Sequence, residues 1–415
     1  MTKSRHAPDT FTDTVPSAAP NGVSPWAVDS PAVGTGLTAR PCGDLLRPAP
    51  PPPATATPLA LALSGGGFRA TLSALGFVRL LADTGLLPHL RYSSSVSGGS
   101  IANGCLARAW PALRERDFTA QAVDELVITP LVDRVSARSL KRTLLRDVWR
   151  TLGPTTRTDL LAGRLDDWFF GQTELEHLDP QVRWIVNAAN LTTGVRFTFE
   201  RDVYGDYTIG LAPTAGTGLR LSRAVSASAA VPGAFPPVVL DRGPFPCATH
   251  RPALLDGGTY DNTGLEALDS DTYRHTFLCV LNAGGLLRPG MYGRIPVIRD
   301  LARANSLLYR QSTALRTRAM VERFRRGARR GFLVQLSTDF PLADPVLHRW
   351  RATFPEHRTH DGRDLALVPT VFDRLAPSLC RALVHRGWWL GGAGLAAYHP
   401  ELLPADLTRL RPPER

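Results

Sequence analysis

Leu59-Ala60-Leu61-Ala62-Leu63-Ser64-Gly65-Gly66-Gly67-Phe68-Arg69 passes from five apolar residues through a nearly side-chain-free stretch into a helical pattern. An apolar run of that length closed by glycines reads as a strand buried on both faces. Phe68 to Leu81 follows as a helix, with Arg69, Ser73, Arg79 and Asp83 set among apolar neighbours and Gly85 as its C-terminal cap. Leu90 to Val96 reads as a second strand and Gly98 to Trp110 as a second helix. Strand, crossover helix and strand in that order imply parallel pairing through a right-handed crossover. Further strands are expected at Arg196–Glu200, Ala253–Leu255, Thr276–Leu281 and Phe332–Leu336. The fold class that follows is α/β: a mainly parallel central sheet flanked by helices on both faces, without internal repeats.

The 415 residues, 43% of them hydrophobic, suffice for one large α/β domain with a sizeable core. Residues 1–57 form a Pro/Ala/Ser/Thr-rich arm ending in Pro48-Ala49-Pro50-Pro51-Pro52-Pro53. So few large apolar residues cannot offset chain entropy, so a disordered, dispensable arm is expected, with the fold beginning at Pro58. Cys42, Cys105, Cys247, Cys279 and Cys380 are scattered, odd in number and without a C-x-x-C pair, which argues against a disulfide framework or zinc site. No run reaches a membrane span and no apolar signal core precedes residue 30, so a soluble, cytoplasmic protein is expected.

The net charge of +11 suggests an anionic partner at first sight. Of 48 basic residues, however, only Lys3 and Lys141 are lysines, a skew typical of GC-rich coding, and charge alone speaks to non-specific attraction. Nucleic acid is not expected as a partner. Arg134, Arg138, Arg142, Arg146 and Arg150 recur every four residues opposite Leu140, Leu144, Leu145, Val148 and Trp149. On one helix this is either a solvated face over an ordinary amphipathic helix or a peripheral contact with anionic membrane. The segment Arg316–Arg330 reads as the polar end of a long surface helix plus a loop.

Three short motifs carry the chemistry. Gly65-Gly66-Gly67 sits between strand and helix, where glycines expose N–H groups to a phosphate or an oxyanion. A nucleotide loop is the rival, but neither a Gly-Lys-Ser/Thr ending nor G-x-G-x-x-G spacing is present. Ser95-Val96-Ser97-Gly98-Gly99 lies where the second strand meets the second helix, the setting of a nucleophile elbow. Ser95 stands in the first glycine position. Ser93, Ser94, Ser95 and Ser100 are rival nucleophiles by type, but only Ser97 has a strand behind it and two glycines ahead. Leu255-Asp256-Gly257-Gly258 ends an apolar strand with a carboxylate aimed over the C-terminal edge of the sheet. A carboxylate within reach of a serine hydroxyl takes its proton directly. Asp261 is read as capping a loop.

Together the motifs resemble the patatin-like phospholipase family, with its G-G-G-x-R/K loop, G-x-S-x-G elbow and D-G-G/A motif. Ala224 to Phe235 resembles the family's small-residue helix running into a proline turn, and Leu375–Leu390 its closing helix. The resemblance covers about residues 58–282 well and the later helical part weakly. It implies a three-layer sandwich, a catalytic domain over 58–405 with a helical insertion at about 105–185, and a tail over 406–415. It implies a lipid acyl hydrolase, phospholipase A or lysophospholipase-like, with a Ser97–Asp256 dyad and an oxyanion hole drawn from Gly65, Gly66, Gly67 and Gly98. Arg69 is read as a loop anchor or a contact for a substrate phosphate. No cofactor and no metal are implied; the partner implied is phospholipid or another acyl-ester lipid, and oligomeric state is not readable. Two rival readings stand. One is a Ser-His-Asp α/β-hydrolase using His385 or His399; the other is a non-catalytic lipid-binding protein that retains the glycine loop.

Overall fold

The computed structural model describes residues 50–54, 56–286, 296–340, 345–356 and 362–414. Most of the arm expected over 1–57 therefore lies outside the described residues. Strands β1 (Leu59–Leu63) and β2 (Leu90–Val96) fall where the sequence places them, joined by helix α1 (Gly67–Asp83). Gly85 follows the helix with φ 71°, the left-handed conformation expected of a glycine cap. Helix α2 (Gly98–Glu115) leaves the end of β2 and continues past Pro111. The remaining strands are β3 (Arg183–Asn190), β4 (Val195–Phe199), β5 (Val203–Asp206), β6 (Gly210–Pro213), β7 (Val238–Val239), β8 (Ala253–Asp256), β9 (Phe277–Asn282) and β10 (Gly331–Gln335).

All belong to one ten-stranded sheet, whose main path runs β10-β9-β1-β2-β3-β4-β5-β6. Its centre, β10 to β3, is parallel, and β4 to β6 extend it as an antiparallel meander. Alternation along the strands separates two cores. Leu59, Leu61 and Leu63 join the larger one, with α1, α2 and the C-terminal helix, whereas Ala60 and Ala62 join Ile185, Leu268, Val280 and Met320 on the opposite face. This is the three-layer sandwich expected.

Two features differ from the sequence reading, and a third gains partners. The arginine stripe does not lie on one helix. Helix α3 (Thr129–Ala137) ends as Arg138 turns extended, α4 (Leu140–Arg146) restarts with Ser139 accepting from the N–H of Arg142, and Val148–Leu152 is a 3-10 turn. A serine cap and the exposed Arg138 outweigh a four-residue periodicity that has no continuous core to face. Arg316 to Arg330 is, as expected, the polar end of a long helix (Pro296–Arg325) and the loop after it. Arg316 pairs with Glu266 at 2.8 Å, Arg323 with Asp269, and Arg329 donates to Thr276 Oγ1 at 2.8 Å, so this segment is fastened to the turns before β9. Finally, Cys247 is disulfide-bonded, with its partner outside the described residues, while Cys105, Cys279 and Cys380 are free. Single cysteines at irregular spacing carry no pattern from which that bond could be read.

Candidate active site

Strand β8 brings the two halves of the site together, in a manner the sequence reading did not anticipate. It does not run parallel with the sheet centre; it pairs antiparallel with the far end of β3, Ala188 opposite Asp256. On the same edge of β3, β2 ends with Val96 opposite Asn187. Two strands thus meet head to head along β3, and the residue after one, Ser97, lies beside the last residue of the other, Asp256. The junction has no room for a side chain: a Cβ on Gly257 would lie 2.4 Å from the Asn187 carbonyl oxygen and 3.2 Å from Val96 Cγ1.

Ser97 has φ 52° and ψ −118°, the strained backbone of a sharp strand-to-helix turn. The strain is held by surrounding hydrogen bonds. Ser97 N–H donates to Ser228 Oγ at 2.9 Å, and Ser228 Oγ donates to the Asn187 carbonyl at 2.6 Å. Ser228 closes helix α5 (Leu221–Ser228), whose following residues also take the N–H of Asp256 at Ala230. This is the small-residue segment singled out in the sequence, and its small side chains admit the two strand ends. Ser95, in place of the usual glycine, fits because its hydroxyl is fully engaged. It donates to the Ile185 carbonyl at 3.1 Å and accepts from Asn103 Nδ2 and Ser100 Oγ, each at 3.0 Å. Ser93 and Ser94 are likewise buried and bonded, to Asn103 and the Gly264 carbonyl. Among the five rivals, only Ser97 lines the cavity described below.

The Ser97 hydroxyl faces the Asp256 carboxylate closely enough to lower its pKa, and the carboxylate accepts from Gly258 N–H at 2.8 Å. Burial pushes this carboxyl up from 3.8 to about 6 against the lowering effect of Ser97 and of Gly258 N–H. Asp261 is structural as expected: it accepts from Thr263 N–H, Thr263 Oγ1 and Glu266 N–H at 2.6–2.9 Å.

The glycine loop packs directly on the elbow. A Cβ on Gly98 would sit 2.1 Å from the Gly67 carbonyl oxygen, so the two backbones touch. Thr71 Oγ1 donates to the Gly98 carbonyl at 2.7 Å. Gly66 and Gly67 have φ 147° and 61°, conformations open chiefly to glycine. The four expected oxyanion donors are not equivalent. Gly65 N–H is occupied by the Asn262 carbonyl at 3.0 Å, which staples the loop to the turn after Asp256, so Gly65 drops out as a donor. The N–H groups of Gly66, Gly67 and Gly98 have no partner among the described residues. Arg69, buried, donates to the Ala283 carbonyl at 3.0 Å, to the Val368 carbonyl and to Thr370 Oγ1 at 3.1 Å. Burial lowers it to about 10. Of its two readings, loop anchoring is the one this geometry fits.

Ser97 and Asp256 open into a cavity of about 440 Å³. Its walls add residues that no motif signalled: Tyr309 and Arg310 from helix α6 (Pro296–Arg325), the loop 367–370, and Asn262. The Tyr309 ring lies over Gly258, and burial together with Asp256 and Asp261 holds its hydroxyl well above the usual tyrosine range. Arg310 has no ion-pair partner among the described residues. No histidine lines the cavity among the described residues. His385 is buried within helix α7 (Pro377–Tyr398), and His399 Nε2 sits 3.0 Å from the Gly331 carbonyl. Among the described residues no group of His, Cys, Asp or Glu is placed to hold a metal ion. Nor is any helix among them long and apolar enough to cross a membrane.

No curated protein matches the chain. Similar solved structures include human GIVD cytosolic phospholipase A2, at 12% identity and TM-score 0.49 over 85% of this chain and 60% of that one. The same enzyme with methyl gamma-linolenyl fluorophosphonate gives 14% and 0.48 over 85% and 59%. VipD from Legionella pneumophila gives 14% and 0.32 over 76% and 66%. The chain thus spans less than two thirds of the human enzyme's length. The family model for patatin-like phospholipases matches residues 61–269, just over half of the chain and the whole span from the glycine loop to beyond Asp256. With the glycine loop, the elbow serine and the D-G-G aspartate meeting at one cavity, the chain belongs to the patatin-like phospholipase family.

Proposed function

We propose that the protein hydrolyses acyl esters of lipids through a Ser97–Asp256 dyad. The observation that carries this reading is the placement of a strained, cavity-lining serine beside a buried carboxylate raised to about 6. Asp256 takes the Ser97 proton as Oγ adds to the ester carbonyl, forming a tetrahedral intermediate. The N–H groups of Gly66, Gly67 and Gly98 meet its oxyanion, an effect worth about 3–4 kcal/mol for a single such donor elsewhere. Collapse breaks the C–O bond, and the leaving alcohol or lysolipid receives the proton from Asp256. Water then attacks the acyl-enzyme, passes its proton to Asp256, and the fatty acid departs as Ser97 recovers a proton. A carboxyl base near 6 suits this shuttling better than one near 4, because it binds and releases protons close to neutrality.

The cavity supports a lipid substrate on two counts. Val231, Pro232, Leu286 and Leu367 give it apolar walls suited to an acyl chain, and Arg310 gives it a cation for an anionic head group. With Arg69 engaged by three acceptors, Arg310 takes the phosphate contact. Arg310→Gln is expected to raise KM for a phospholipid roughly tenfold and leave hydrolysis of a neutral short-chain ester unchanged. Equal effects on both substrates would remove Arg310 from head-group recognition.

The base must be ionised to act, so kcat/KM should fall about tenfold per pH unit below about 6 and level off above it. Fatty-acid release measured from pH 4.5 to 8 tests this. A profile flat across that range would mean that Asp256 is not the base.

A further inference from the structure

We propose that the segment 139–152 is a membrane-docking surface that seats the protein on anionic lipid beside the mouth of its cavity. The inference deepens the lipid-hydrolase reading and rests on it for the identity of the surface. It has its own observations and a test that needs no turnover.

The first observation is the fate of the apolar residues. An ordinary amphipathic helix would turn them all inward. Leu140 does so, and Leu144 is half-buried against the core. Leu145, Val148, Trp149 and Leu152 are instead 60%, 41%, 67% and 91% exposed. Leu145 lies in the last turn of α4 and the other three in the 3-10 turn that follows it. The turn Val148–Leu152 contains no buried residue. Four large apolar side chains held in water within eight residues mark an interaction surface.

The second observation is charge. Lys141, Arg142, Arg146 and Arg150 are exposed on the same segment. The one acid within it, Asp147, is buried and paired with Arg164, and with Arg146 at 3.4 Å. The face therefore presents cations and apolar groups with no exposed carboxylate. A tryptophan and leucines flanked by arginines match the acyl–headgroup boundary of an anionic bilayer, where rings sit at the interface and guanidiniums meet phosphates.

The third observation is placement. Lys141 N–H donates to the Phe372 carbonyl at 2.9 Å, and Ser139 Oγ donates to Asp373 at 2.5 Å. Immediately before these two residues, Leu367 to Thr370 line the cavity, and Val371 accepts from Phe68 N–H behind the glycine loop. On another wall, Leu307 and Leu308 are also exposed, beside the cavity residues Ser306, Tyr309 and Arg310. Docking through 139–152 brings the lipid surface to the rim through which a substrate must enter.

The test uses the full chain as Ser97→Ala, so that vesicles stay intact. Co-sedimentation is measured with phosphatidylcholine vesicles and with vesicles of phosphatidylcholine and phosphatidylglycerol. Binding to the anionic vesicles is expected, with a blue shift of tryptophan emission. Arg142→Gln, Arg146→Gln and Arg150→Gln together should lower partitioning roughly 100-fold. Trp149→Ser with Leu152→Ser should abolish the blue shift. All five positions are exposed, and unchanged near-UV dichroism checks the fold. Equal binding of parent and variants, no preference for anionic vesicles, or self-association through the patch without vesicle binding would each overturn the proposal. If the active protein hydrolyses no lipid while Ser97→Ala still docks, the catalytic reading fails and the surface stands. If lipid is hydrolysed but the variants dock as the parent does, the reverse holds.

Discussion

Asp256→Asn is expected to lower ester turnover by about 10⁴-fold while raising the stability of the protein at alkaline pH. The two effects have one cause. Asp256 is buried at the meeting of β2 and β8, and removal from water raises its carboxyl from 3.8 to about 6. The folded protein therefore holds this proton more tightly than the unfolded chain. The stability this contributes is complete below about pH 4 and is lost as the pH rises through 6. At pH 8 the folded parent carries an ionised carboxylate disfavoured by about 3 kcal/mol, an opposition that a neutral asparagine lacks. The asparagine Oδ1 keeps the acceptor for Gly258 N–H, so the turn stays closed. Thermal unfolding should show the variant more stable by roughly 5 °C at pH 8 and equal to the parent near pH 4. A variant less stable than the parent at pH 8 would mean that Asp256 is an ordinary structural carboxylate.

Gly98→Ala should cripple turnover while removing no polar group. Its Cβ would lie 2.1, 2.7 and 2.8 Å from the oxygen, nitrogen and carbonyl carbon of Gly67, backbone atoms with no rotamer to yield. The glycine loop must move off the elbow, displacing the N–H groups of Gly66 and Gly67 from the place where an oxyanion forms. Turnover is expected to fall by 10² to 10³-fold. The forced shift should cost about 1–3 kcal/mol of stability. Gly163→Ala is the matched control, since a Cβ there meets nothing within 4 Å and a helical alanine gains up to about 1 kcal/mol. Retained activity in Gly98→Ala would show that the loop's position on the elbow is not needed for turnover.

The parts of this molecule that could be read from its sequence are those determined locally. Leu59–Leu63 and Leu90–Val96 announce themselves as apolar or small-residue runs ending in glycine turns, and both strands have the expected bounds. The structure places Ser97, Asp256 and the glycine loop at one cavity because three turns rich in glycine meet there. What escaped was whatever depends on partners distant in the chain. β3 is a central strand, yet Arg183–Asn190 carries two asparagines that blur its apolar pattern. Asn187 is at home there because its amide donates to Ser94 Oγ and the Ser95 carbonyl, each at 2.9 Å. The direction of β8 depends on β3 outrunning β2, which no local pattern states. Tyr309, Arg310 and the loop 367–370 reach the cavity through packing alone. Gly65 was grouped with its neighbours by residue type, whereas its N–H is held by Asn262, a contact visible only in three dimensions. The arginine periodicity at 134–150 was real in the sequence but crosses two helix ends, because Ser139 and Asp147 find better partners in Asp373 and Arg164.

The central claim is that Ser97 is made nucleophilic by Asp256 without a histidine. The most direct measurement is the rate and position of covalent labelling by an alkyl fluorophosphonate, followed by peptide mass mapping in the parent and in Asp256→Asn. A working dyad predicts a single adduct on Ser97 in the parent and labelling slower by about three orders of magnitude or more in the variant. An adduct on another residue, or labelling of Asp256→Asn at the parent's rate, would contradict it.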